Sequence, residues 1–169
     1  MRTTISEKVI RVMKNKDKLE EALNVRISFR GKEINIEGDG EDEYDAEKVI
    51  EAISFGFPLS SALLIKKDNL MFEIIPIKNY TKSKDLKRIR ARLIGVEGKT
   101  KKTISNLTYC FIEIRDNDVG IIGDPELISG AQNAIISIIK GSKQANVYHN
   151  LEKNRPIPVI DLGLRDEEK

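Results

Sequence analysis

Residues 90–104 read RARLIGVEGKTKKTI, and this stretch decides how the chain is read. Gly95 and Gly98 stand three apart, with Leu93 and Ile94 before them and Ile104 after. Upstream, KDLKRIRARLI (84–94) places Leu86, Ile89, Leu93 and Ile94 at helical spacing. Downstream, KTKKTISNLT (99–108) reads as a second short helix with Ile104 and Leu107 inward. The glycines therefore make the turn between two close helices, where the backbone must pass through conformations that only glycine adopts cheaply. The second helix begins there with unpartnered N–H groups and a partial positive charge, which together favour an anion. Lys99, Lys101 and Lys102 stand in that same first turn. On dipole grounds this is the wrong end for lysine, costing roughly 0.3–1 kcal/mol each when exposed. Three cations there make sense if an anion visits. Arg88 and Arg92 extend the charge along the preceding helix, opposite its apolar stripe, while Arg90 falls nearer the apolar side.

Working outward, the same order of elements reads twice. In the second half MFEIIPI (71–77) is a strand, the two helices and their glycine turn follow, and CFIEIR (110–115) and VGIIG (119–123) form a hairpin around DND. A last helix is expected from Asp124 as N-cap and Pro125 as its first residue to Gly141 beyond its end. In the first half TTI (3–5), EKVIRVM (7–13), KLEEAL (18–23), VRISF (25–29), EINIEG (33–38) and DAEKVIEAIS (45–54) repeat strand, helix, helix, hairpin, helix. No glycine precedes Gly31, so the turn between the first copy's two helices has no glycine pair. The expected division is 1–56 for the first copy, 57–70 for a connecting helix around Pro58, 71–143 for the second copy, and 144–169 for a tail in which PIPVIDLGL (156–164), with its two prolines, and the charged end point to extended or disordered structure. The connecting residues Leu59, Ala62, Leu63 and Ile65 suggest that the copies pack together.

Composition sets the bounds. The chain has 169 residues, 40% of them hydrophobic and 5% aromatic, with no Trp, so its core must be built from Ile, Leu and Val. Net charge is only +2, but the charge is unevenly spread. Between 82 and 102 nine Lys/Arg oppose two acids, whereas between 37 and 51 eight acids oppose Lys48 alone. One basic block in a near-neutral chain offers an anion one place to land. The acidic stretch reads as a solvated loop and helix start, with repulsion of RNA or docking of a basic partner as alternatives. Cys110, the single cysteine, excludes an internal disulfide and argues against a thiolate metal cage. No apolar run reaches membrane-spanning length, so a cytoplasmic protein is expected.

A nucleotide triphosphate is the first rival for the visiting anion, and it fits poorly. A phosphate-binding loop of the form G-x-x-x-x-G-K-S/T needs a glycine at position 93, where Leu93 stands, and a strand before it. A nucleic-acid backbone fits better. The β-α-GxxG-α-β-β-α order around LIGVEGKTKKTI resembles a type I KH domain, a module that clamps about four single-stranded nucleotides. A glycine-less copy before an intact one, joined by AISFGFPLSSALLI and followed by VYHNLEKNR, resembles the archaeal branch of the partner-of-Nob-one family of small-subunit ribosome assembly factors. The resemblance runs to about Arg155. It implies an α+β fold of two tandem KH domains, the first degenerate, with Gly95, Val96, Glu97 and Gly98 as the clamp. It also implies binding near the 3′ end of small-subunit rRNA, and contact with the endonuclease that trims that end and with pre-ribosomal proteins. Glu97 departs from the basic or polar residues common at its position and should weaken phosphate binding.

The expected RNA-binding residues are thus Gly95, Val96, Glu97, Gly98, Lys99, Lys101, Lys102, Arg88 and Arg92, with Ile94, Ile104 and Ile112 serving as core, groove or both. The sequence holds no nucleophile–base pair and no carboxylate dyad, and His149 has no ligand-spaced neighbour. Catalysis, a cofactor and a metal are not expected. A general single-stranded RNA module and a protein-interaction scaffold remain as the other readings.

Overall fold

A computed structural model of the chain describes residues 1–155. The expectation for PIPVIDLGL lies outside the described residues. The fold is α+β. Its first half runs β1 (Arg2–Ile5), α1 (Val9–Met13), α2 (Lys16–Leu23), β2 (Arg26–Arg30), β3 (Glu33–Glu37) and α3 (Gly40–Phe55). The connecting helix α4 (Leu59–Lys67) follows. Next come β4 (Met71–Pro76), a short 3₁₀ turn, α5 (Leu86–Ile94), α6 (Lys99–Thr108), β5 (Phe111–Arg115), β6 (Asp118–Gly123), α7 (Ile128–Ile139) and α8 (Gln144–Lys153). Each half holds a three-stranded antiparallel sheet with its last strand in the middle, β1-β3-β2 and β4-β6-β5. β2 and β5 are therefore edge strands, each with one row of backbone groups unpaired within its sheet.

Local chemistry explains the elements. The Asp85 side chain accepts a hydrogen bond from Arg88 N at 3.2 Å and starts α5. Asp116 adopts φ 51° in the β5–β6 hairpin, the conformation that the DND signal promises. The last helix of the second half starts later than the sequence suggests. The Asp124 carbonyl takes the amides of Leu127 and Ile128, both at 2.9 Å, and its carboxylate takes Glu126 N. A turn thus occupies 124–127, and regular helix begins at Ile128. The tail from Gln144 begins with an element that the sequence reading does not place: residues 144–153 are helical. Val147, Tyr148 and Leu151 lie at helical spacing and pack on the second core, and this burial decides the conformation ahead of the prolines.

Alternation in β6 builds two cores from one strand. Val119 and Ile121 face the second core with Ile89, Leu93, Ile104 and Ile135, whereas Ile122 belongs to the first core with Val49, Ile53, Phe57 and Ile65. The outer face of the second sheet is thus covered by the first half and its connection. Phe55, Phe57 and Phe72 meet there with ring centroids 5.8–6.1 Å apart. Arg115 donates to the Phe55 carbonyl at 3.0 Å across the same joint. Gly120 lies beneath the rings; a Cβ on it would sit 2.7 Å from Phe55 Cε1 and 2.9 Å from Phe57 Cε2.

Part of the acidic stretch works internally. Glu41, Asp42 and Glu43 occupy the first turn of α3, where negative charge suits the dipole. Asp42 pairs with Lys66 at 2.7 Å and so ties α4 to the first half. Glu43 accepts from Gly38 N and pairs with the terminal ammonium, both at 3.0 Å, and these partners hold its carboxyl below the usual range.

Gly120→Ala is expected to force the aromatic joint apart and to destabilise the fold by about 1–3 kcal/mol. A thermal melt should show a midpoint several degrees lower. An unchanged midpoint would mean that the halves do not depend on this close approach.

Candidate nucleic-acid interface

The glycine turn is built from three left-handed residues. α5 makes its last helical bond from Gly95 N to the Ala91 carbonyl at 2.9 Å. Gly95 (φ 76°), Glu97 (φ 55°) and Gly98 (φ 74°) then reverse the chain, and Gly98 N closes on the Gly95 carbonyl at 3.2 Å. Gly95 is required twice over, because a Cβ would also lie 2.7 Å from the amide nitrogen of buried Thr100. Gly98 is required for conformation alone, with open space where its Cβ would be. Glu97 holds the left-handed region without being glycine, at a cost of about 1 kcal/mol. Val96, 79% exposed, is the apolar tip of the turn. No side chain caps α6, and the Lys99 amide is taken by the Val96 carbonyl within the turn itself. The first half makes the equivalent turn through Lys14 and Asn15 with negative φ throughout, and so has neither the backbone form nor the open approach.

The predicted residues lie on two sides of this turn. On one side is a groove of about 440 Å³ between α6 and the edge strand β5. Glu97 and Gly98 close one end, Lys101, Lys102 and Ser105 line the helix side, and Phe111, Ile112 and Glu113 line the strand side. Phe57, Pro58 and Ser61, from the connection between the halves, complete the wall. On the other side Arg88, Arg92, Val96, Lys99 and Tyr148 surround a shallower hollow between α5, α6 and α8.

The structure sorts these residues into different roles. Arg92 does not extend the charged face freely: its guanidinium donates to the carbonyls of Ile138 and Ser142 and ties α5 to the end of α7. Ile104, 1% exposed, is core and lines no groove, because α6 turns it onto the sheet. Ile112 is buried yet borders the groove, so it serves both roles. Ile94 is exposed at the last residue of α5. Lys101 is paired with Glu113 at 3.4 Å, whereas Lys99, Lys102 and Arg88 are exposed, with no ion pair among the described residues. Arg90 donates to the Asp116 carbonyl, as its place near the apolar side suggests. Sequence reasoning missed Phe111, Glu113 and the connection. The alternation in FIEIR, with Ile112 and Ile114 inward, was the signal that Phe111 and Glu113 face the other way.

The Cys110 thiol is pushed up by burial and kept protonated, hence inert. Among the described residues no cluster of three or more His, Cys, Asp or Glu could hold a metal, and no helix is long and apolar enough to cross a membrane.

Comparison with known proteins agrees with this geometry. The family described as eukaryotic type KH-domain (KH-domain type I), the second KH domain of PNO1, matches residues 71–156. A KH domain-containing protein of Methanocaldococcus jannaschii is 32% identical over 113 residues, 66% of this chain and 50% of that one. The pre-rRNA-processing protein pno1 of Emericella nidulans is 32% identical over 111 residues, 63% of this chain and 43% of that one. The chain thus spans half or less of the length of these curated relatives. A solved structure titled as an a/eIF2alpha–aDim2p–rRNA complex from Pyrococcus horikoshii superposes with a TM-score of 0.83 at 24% identity, covering 91% of this chain and 93% of that one. The chain belongs to the PNO1 family of type I KH-domain proteins.

Proposed function

We propose that this protein binds single-stranded RNA through the Gly95–Gly98 turn and the groove beside it, and that the RNA is the 3′ region of small-subunit rRNA during ribosome assembly. One observation carries the binding reading: the glycine turn, the uncapped start of α6 and exposed Lys102 meet an unpaired strand edge across a groove large enough for a nucleotide. Phosphates rest on the turn and the first α6 amides. Bases enter the groove against Phe111 and Ile112, and their edges reach the free backbone groups of β5. The pre-rRNA-processing name of one relative and the rRNA in the complex of a structural neighbour support the choice of RNA.

In this reading the first half (1–56) is a KH copy that has lost its clamp. Its element order and strand order match those of the second half, while its turn lacks the left-handed residues. It acts as a scaffold: it covers the outer face of the second sheet and sets the connection against the groove. The endonuclease that trims the rRNA end and pre-ribosomal proteins are its expected partners, in the cytoplasm. The protein supplies binding and positioning, with no catalytic step of its own.

Val96→Asp combined with Glu97→Asp adds one negative charge, at 96, and keeps the one at 97, on a turn whose tip, Val96, is 79% exposed and loses little side-chain contact. Affinity for a single-stranded RNA should fall at least tenfold, about 1.4 kcal/mol, in a protein that melts as the wild type does. Unchanged binding would remove the turn from the mechanism.

Salt titration separates the lysines. About three neutralised phosphates give a slope of log K against log salt near −2. Lys102→Ala should make the slope shallower by roughly 0.7, whereas Lys101→Ala should change it less, because its charge is already matched by Glu113. Equal changes would show that Lys101 is not held by Glu113 in the bound state.

A further inference from the structure

A carboxylate inside a groove for a polyanion needs a reason. Glu113 stands on edge strand β5, in the groove wall between Phe111 and Lys101, with its side chain about one third exposed. Repulsion from passing phosphates works against RNA binding at this position. Its cross-strand neighbour is Gly120, which has no side chain and is overlain by Phe55 and Phe57, so β6 supplies no cation to answer it. The cation comes instead from α6. Lys101 reaches Oε2 at 3.4 Å and fixes the carboxylate along the groove. Among the described residues Oε1 accepts no hydrogen bond. The result is an oriented, charge-compensated group that can only accept.

We infer that Glu113 reads the base in the groove, accepting a hydrogen bond at Oε1 from the exocyclic amino group of a cytosine, N4, with Lys101 as the positioning residue. The inference rests on the RNA-binding reading above. A carboxylate accepting from cytosine N4 is an established pairing. Uracil is the same size but carries O4 at that place, an acceptor facing an acceptor, so the hydrogen bond is lost and the two oxygens repel. Phe111 supplies sequence-tolerant stacking, so discrimination falls to Glu113. Lys101 then stays on Oε2 in the complex, consistent with its small expected share of the salt dependence.

The test titrates the full chain with three fluorescent RNA decamers: oligocytidylate, oligouridylate, and an oligomer of 2-pyrimidinone nucleotides, which differ from cytidine only in lacking the amino group. The wild type should bind oligocytidylate about tenfold more tightly than either of the others. Glu113→Gln, which keeps the size and adds a donor, should retain oligouridylate binding and reduce the preference to about twofold or less. Equal affinity of the wild type for all three decamers overturns the inference and leaves the RNA-binding reading intact. So does a preference that persists in Glu113→Gln. Failure of the wild type to bind any decamer overturns both. The 2-pyrimidinone comparison needs no variant, so a poorly folded Glu113→Gln protein would still leave a decisive result.

Discussion

The close approach of Gly95 to Thr100 governs the second half of this molecule. Because Gly95 has no side chain, α6 can start directly against the end of α5, and the two helices lie at the angle that sets Ile89, Leu93 and Ile104 into one core. The same absence leaves the backbone of the turn bare. One steric fact therefore serves packing and the proposed recognition together: it lets the helices close, and it bares the backbone on which the proposed phosphate contact rests. A β-carbon at 95 damages both at once, whereas one at 98 costs only conformational strain.

The first half makes its own helix–helix turn without that close approach. α1 and α2 meet through Lys14 and Asn15 in ordinary backbone, and no bare turn results. What the first half supplies instead is surface. Its α3 and the connection press Phe55 and Phe57 against Gly120 and Ile122, on the face of the second sheet away from its helices. Pro58 and Ser61 are thereby carried to the rim of the groove. Packing at the joint and the shape of the proposed RNA site are consequently linked through a few residues on either side of Gly56.

Much of this is legible in the chain. Helical periodicity, the glycine pair and the DND hairpin give the second half its order. The missing early glycines mark the turn that differs. The acidic stretch was harder to read, because the use of Asp42 and Glu43 depends on Lys66 and the chain terminus, distant in sequence. Helix α8 was hidden by the prolines beyond it, although Val147, Tyr148 and Leu151 had the spacing to dock. At the site, charge type was visible and charge partner was not. Arg92 and Lys101 look alike as free cations in the sequence. Only the folded chain shows the first spent on two backbone carbonyls and the second on Glu113. The groove itself has no sequence signal, since its third wall comes from 50 residues upstream.

Amide chemical shifts of the full chain during titration with a short single-stranded RNA test the central claim most directly. The account predicts the largest changes at residues 95–102 and 111–113, with smaller ones at Pro58-flanking amides and none centred on residues 13–18 or 26–30. Changes centred on the first half, or on α7 away from the turn, would contradict it.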